Sequence, residues 1–194
     1  MAETVRERIL EATETLLRRL GPGKLAVTDV ARVLGMSHGN IYRHFTSKAA
    51  LLDAIAERWL ENVSAPLAVL AAGDEPAAER LESWVLTLMR IKWHKVHDDP
   101  EVFAMYHSVA EASRDVVTRH VATLLKQLEQ IVADGCATGE FQSGDPPTAA
   151  LAVWNATTRF HHPSLVSTLH EPPTDAEVRT VIALLVAGLK AGVT

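Results

Sequence analysis

The chain has 194 residues, of which 47% are hydrophobic and 22% charged, and its formal net charge is −5. That is enough apolar material for one modest domain and a small one, each with its own core, and it excludes a disordered chain. The acidic balance excludes a protein that coats nucleic acid by bulk charge, the single cysteine excludes a disulfide within the chain, and no run approaches the ~18 apolar residues of a membrane span.

The N-terminal segment MAETVRERIL is charged and amphipathic, unlike a secretory leader, so the cytoplasm is the expected compartment. Within it and beyond, Val5, Ile9, Ala12, Leu16 and Leu20 follow helical spacing, and Gly21, Pro22 and Gly23 end that helix. The next 21 residues, TDVARVLGMSHGNIYRHFTSK from Thr28 to Lys48, predict two short helices around a glycine turn, followed by the basic start of a third. Thr28 is positioned to cap the first, Asp29 suits its positive end, and Val30, Ala31 and Leu34 make a small apolar face. Gly35 supplies a left-handed exit and Ser37 a cap for the second helix, in which Ile41 and Phe45 share a face at i and i+4. His38, Gly39, Asn40, Arg43 and His44 then point elsewhere.

Two helices joined by a short glycine turn form the helix-turn-helix unit, whose second helix enters the major groove by its N-terminal residues. Asn reads adenine bidentately, His donates to or accepts from a base edge, and Gly lets the backbone come close. The spacing alone does not separate DNA binding from an ordinary helix pair, and Tyr42, His44 and Lys48 also fit partly buried or solvated side chains. Lys48 weighs toward DNA, because a cation at a helix start is opposed by the macrodipole unless an anion approaches.

The string LGMSHGNIYRHFTSKAALL resembles the signature of the TetR family of one-component transcriptional regulators, with the glycine, the Tyr-x-His-Phe core and the Lys-x-x-Leu-Leu ending in register. In detail the resemblance runs from about Arg6 to Trp59; beyond that it is one of architecture. It implies that His38, Gly39 and Asn40 lie near bases with Ser37 and Arg43 close by, and that Thr28, Tyr42, His44 and Lys48 hold phosphates. Charge agrees with this division. Residues 1–50 carry eight Lys or Arg against five Asp or Glu, a balance of +3, and the remainder eleven against nineteen, or −8.

From Ser47 to about Leu70 a longer helix carries Leu51, Leu52, Ile55, Trp59 and Val63, and it is placed to link head to body. The expected division is a helix-turn-helix domain over 1–47 and a helical regulatory domain over 48–194. AAGDEP around Gly73 breaks the pattern before a helix with Leu81, Trp84, Val85, Leu88 and Ile91, and Asp98, Asp99 and Pro100 break it again. A short piece to about His107 and a long helix from about Ala110 to Thr138 follow, with Val117, Val121, Leu124, Leu125, Leu128 and Val132 on its apolar side. The last two helices are expected over about Thr148–Leu169 and Asp175–Leu189. The final one is nearly free of charge between Arg179 and Lys190 and must be buried, inside the monomer or between two copies. The resemblance implies the latter, a four-helix bundle joining a homodimer. Two-fold symmetry then sets the recognition helices about 34 Å apart on a palindromic operator in double-stranded DNA.

The expected fold is therefore all-α, with a three-helix head, a ligand-binding and dimerisation body, and about nine helices. The resemblance further implies repression relieved by a small molecule. Candidate lining residues are Trp59, Trp84, Leu88, Met89, Trp93, Phe103, Met105, Tyr106 and Trp154, which as a set suit a hydrophobic or aromatic effector and singly suit core packing. Seven of the nine histidines fall in the body; His94 and His97 at i and i+3, beside Asp98, leave a metal-sensing regulator as an alternative. His161 and His162 point about 100° apart on a helix, and no HExxH or CxxC spacing occurs, so no metal or cofactor is assigned. His97-Asp98 also echoes all-helical metal-dependent phosphohydrolases, but the further ligands that reading needs are missing, and GxSxG and P-loop motifs are absent. A regulator, not an enzyme, is the expectation.

Overall fold

The computed structural model describes residues 4–192; the first three residues of the charged N-terminal segment lie outside them. Among the described residues there are ten helical segments and no strand: α1 Val5–Leu20, α2 Val27–Val33, α3 His38–His44, α4 Lys48–Ala71, α5 Ala77–His97, α6 Pro100–Ala112, α7 Arg114–Ala137, α8 Pro146–His161, the single turn α9 Pro163–Val166, and α10 Asp175–Ala191. None of them is long and apolar enough to cross a membrane.

The chain forms two units, and α4 and α7 contribute to both. The first holds the residues up to Glu61 together with Pro100–Arg119; the second holds Asn62–Asp99 and His120 onward. The expected boundary at residue 47 falls inside the first unit, because Leu51 and Ile55 of α4 and Tyr106 of α6 belong to the same buried cluster as α1–α3. In that cluster Ile9, Leu16 and Leu17 of α1 meet Val30 of α2, Ile41 of α3 and Phe45, which follows α3. Arg6 adds a cation–π contact, its guanidinium carbon lying 5.1 Å from the Phe45 ring centre.

In the second unit Val63 and Leu67 of α4, Leu81, Trp84 and Leu88 of α5, Leu124, Leu128 and Ile131 of α7, Val153 of α8 and Val178 and Ile182 of α10 make one core. Two side-chain ties cross it. Trp84 Nε1 donates to Gln127 Oε1 at 3.0 Å while Gln127 Nε2 donates to the Ser64 carbonyl at 3.0 Å, and Arg80 Nη1 donates to Asp134 at 2.9 Å and to the Ala71 carbonyl at 2.7 Å.

Two boundaries differ from the sequence expectation, each for a local reason. The helix expected to reach Leu169 stops at His161, because Pro163 holds His162 at ψ 122, outside the helical region. The break expected near residue 108 lies at Ser113, whose carbonyl accepts from Val116 and Val117 to start α7 and whose hydroxyl donates to Asp53 at 2.5 Å. Pro66 sits inside α4, where it cannot donate to the Asn62 carbonyl.

Candidate nucleic-acid interface

The turn between α2 and α3 is set by backbone geometry. Gly35 has φ +62, a conformation costly for a residue with Cβ, and the Met36 amide donates back to the Ala31 carbonyl at 2.9 Å to close the end of α2. Ser37, extended at ψ 148, then starts α3, its Oγ accepting from the Asn40 amide at 3.3 Å. The start of α2 differs from expectation. Thr28 lies inside the helix and is exposed, and its expected capping role passes to Asp29, which accepts from the Ala26 amide at 3.3 Å and pairs with Arg32 at 3.0 Å.

Because Ile41 and Phe45 are buried, the rest of α3 is turned outward: His38, Gly39, Tyr42, Arg43 and His44 are exposed and Asn40 is half-buried. Two contacts order this face. Arg43 Nη2 donates to Asn40 Oδ1, so the Asn40 amide nitrogen is left to donate outward. The His38 and Tyr42 rings meet edge to face, 4.7 Å between centres. Gly39 has no internal reason to be glycine: its φ is ordinary, and a Cβ there would meet nothing within 4 Å.

Ser47 caps α4, its Oγ accepting from the Ala50 amide at 3.0 Å, and the first turn of that helix carries no acid. Lys48 is half-buried and its Nζ donates to the Pro22 carbonyl at 3.3 Å. Sequence reasoning missed this tie, which gives the cation a partner within the head. The face as a whole offers amide, imidazole, phenol, guanidinium and ammonium donors on one short helix and the helix start that follows it, which suits a polyanion presenting base edges and phosphates.

The expected effector-lining residues divide between the units. In the first, Trp59 stacks on Tyr106 at 5.2 Å with an interplanar angle of 2° and tilts toward Phe103 at 6.3 Å, and Met105 packs on the head's core. In the second, Trp84, Leu88 and Met89 are buried in the core, Trp154 packs on it, and Trp93 stacks on His97 at 3.7 Å. The histidines are scattered in their bonding. His94 pairs with Asp98 at 3.2 Å, His97 Nε2 donates to the Val166 carbonyl at 3.3 Å, and among the described residues no three His, Cys, Asp or Glu side chains converge as a metal site. Sequence reasoning also missed a buried basic group in the second unit, Lys92, His120 and His161. Its signal was register: Lys92 follows Leu88 by four, His120 precedes Leu124 by four, and His161 follows Thr157 by four, each on an inward stripe.

Two stretches of the chain match known families. Residues 9–55 match the family described as "Bacterial regulatory proteins, tetR family", and residues 77–182 match "Tetracyclin repressor-like, C-terminal domain". An uncharacterised HTH-type transcriptional regulator of Mycobacterium tuberculosis is 30% identical over 104 residues, 54% of this chain and 50% of that protein, so the match spans about half the length of that relative. Among solved structures, a transcriptional regulator described as putative from Pseudomonas aeruginosa superposes with a TM-score of 0.68 at 18% identity, covering 96% of this chain and 90% of that one. FadR from Bacillus subtilis, solved with stearoyl-CoA, gives a TM-score of 0.59 at 17% identity over 93% and 97% of the two chains.

Proposed function

The chain belongs to the TetR family of bacterial transcriptional regulators, and from that premise we propose that it binds a palindromic operator as a homodimer and represses until a small effector releases it. The observation that carries the reading is the α2–α3 pair: a glycine exit at φ +62, a serine-capped second helix, and Ile41 and Phe45 buried so that His38, Tyr42, Arg43 and His44 face outward. His38, Gly39 and Asn40 approach base edges, with Ser37 and Arg43 beside them; Thr28, Tyr42, His44 and Lys48 take phosphates. The compartment is the cytoplasm, where chromosomal DNA lies.

Two copies join through α8 and α10. Support comes from apolar residues left uncovered on both helices, Leu151 at 47% exposure and Leu184 at 72%, beside the small residues Ala152, Ala183 and Ala187. An effector acts by binding one of two conformations more tightly; a coupling of about 1–3 kcal/mol changes operator affinity by about 5- to 150-fold. A small-molecule effector is further supported by FadR, whose structure was solved with stearoyl-CoA.

Footprinting the protein on the DNA beside its own coding region tests the reading. The expected result is a symmetric protected site whose affinity falls steeply with salt, as phosphate neutralisation releases counterions. Binding without sequence preference, or none at low salt, refutes it.

A further inference from the structure

In the second unit three basic side chains lie on the inward stripes of three helices: Lys92 on α5, His120 on α7 and His161 at the end of α8, with 9%, 9% and 3% of their surfaces exposed. Burying such groups is costly unless a partner compensates. The same unit shows what compensation looks like, since its other buried cation, Arg80, is met by Asp134 and the Ala71 carbonyl. Among the described residues no acidic group acts on this cluster. The charges that act on it are themselves basic: Lys95 on Lys92, Lys92 and Lys95 on His120, Lys92 and His162 on His161. His120 Nε2 is buried without a hydrogen-bond partner. His161 Nε2 donates to the Trp154 carbonyl at 3.3 Å, and the Trp154 ring lies 4.1 Å from the imidazole.

We propose that Lys92 and His120, backed by His161, form the polar end of an effector site that takes an organic anion: a carboxylate or comparable oxyanion carried on an apolar body. The inference rests on the reading of the chain as an effector-responsive regulator. A bound oxyanion would accept from the Lys92 ammonium and from His120 Nε2–H, supplying both the missing countercharge and the missing acceptor. The apolar body follows from the register, because Leu88 and Met89 precede Lys92 by one turn, Leu124 follows His120 by one turn, and Trp154 packs on His161. A metal is the wrong occupant. The Lys92 charge repels a cation, and the cluster has no carboxylate or thiolate to bind one.

The test uses the full chain without DNA and two matched probe pairs, 2-naphthoate with 2-naphthamide and decanoate with decanol, read by thermal melting and tryptophan fluorescence. At least one carboxylate is expected to raise the melting temperature where its uncharged partner does not, and Lys92→Met is expected to abolish that difference. Without ligand, Lys92→Met is expected to melt higher than the parent, since it removes an uncompensated buried charge. His120→Leu is the second variant, expected to weaken the carboxylate response while keeping the fold. Equal response to both members of each pair, no response to either carboxylate at millimolar concentration, or an undiminished response in both variants overturns the proposal. Operator binding by the parent protein without any probe tests the regulator reading by itself. Its loss beside a carboxylate-specific melting shift leaves the site standing and removes the regulator; operator binding with no carboxylate response does the reverse.

Discussion

Lys48 Nζ, at the first turn of α4, donates to the carbonyl of Pro22, 3.3 Å away in the turn after α1. One side chain thus ties the start of the long helix to the loop that closes the first, on the side where the head is proposed to meet phosphate. Lys48→Ala separates the two roles. A phosphate contact predicts that affinity falls about equally for all operator variants and that the salt slope drops by about one. The loop tie predicts only a loss of stability, about 1 kcal/mol for a part-buried hydrogen bond. Both effects are expected; an unchanged salt slope in fluorescence-anisotropy titrations removes the phosphate contact.

Gly39 gives an opposed pair of effects. A Cβ at this position meets nothing in the protein within 4 Å, so Gly39→Ala is expected to stabilise the fold by about 0.5–1 kcal/mol through helix propensity. If the glycine is there for close approach to a base, the same change weakens operator binding. A variant that melts higher and binds as well as the parent shows that residue 39 does not approach the DNA.

The uncovered leucine of α10 tests the assembly. Leu184, 72% exposed, is expected to sit between two copies, and Leu184→Glu should convert the dimer to a monomer in sedimentation analysis and sharply reduce affinity for the full palindrome. A parent protein that is already monomeric at micromolar concentration overturns this interface.

Local rules read the head closely because its signals are local: Gly35 turns, Ser37 caps, and Ile41 and Phe45 choose the inward face. They misplaced the cap of α2, where Asp29 serves from within the helix and Thr28 does not. They set one break too early, near residue 108 instead of at Ser113 before Arg114-Asp115, and missed another at Pro163 after His162. The capping of α5 lay beyond them. Its cap residue is Pro76, and the free amides of Ala77 and Ala78 donate to Glu140, 2.7 and 3.1 Å away but more than 60 positions along the chain. The outward residues of α3 were legible for the same reason as its fold. Lys92 was legible in register and passed over, because a lysine within an apolar stripe ordinarily bends its charge to solvent.

A close approach within the second unit predicts a sharp steric effect. An added Cβ on Gly135 would press into the Phe141 ring and lie 2.8 Å from Ala77 Cβ. Gly135→Ala should therefore cost about 1–3 kcal/mol in urea unfolding despite better helix propensity. The cost should shrink in a Phe141→Leu background, which withdraws the opposing atoms. An equal cost in both backgrounds rules out this contact as its source.

The buried imidazoles set a pH dependence with a definite sign. Burial, with Lys92 and Lys95 adding to it, lowers His120 from 6.5 to about 3. Burial lowers His161 to about 4, with Lys92 and His162 adding and the bond to the Trp154 carbonyl opposing. In the unfolded chain both titrate near 6.5, so below that pH the unfolded state binds protons that the folded state refuses. Stability is fully present above pH 6.5 and falls as pH drops toward 4, by about 1.4 kcal/mol per pH unit for each imidazole once the unfolded form is protonated. Lys92, lowered from 10.5 to about 8 chiefly by burial and then by Lys95, works in the same sense on the alkaline side, adding stability as pH rises from 8 toward 10.5. Carboxylates titrate in the acid range as well, so the decisive quantity is the difference between parent and His120→Leu. Urea midpoints measured from pH 7 to pH 4.5 should converge as pH falls if the parent is the more stable at neutral pH, or separate in favour of the variant if it is not. A difference that stays constant across that range shows that His120 is protonated equally in the folded and unfolded chain.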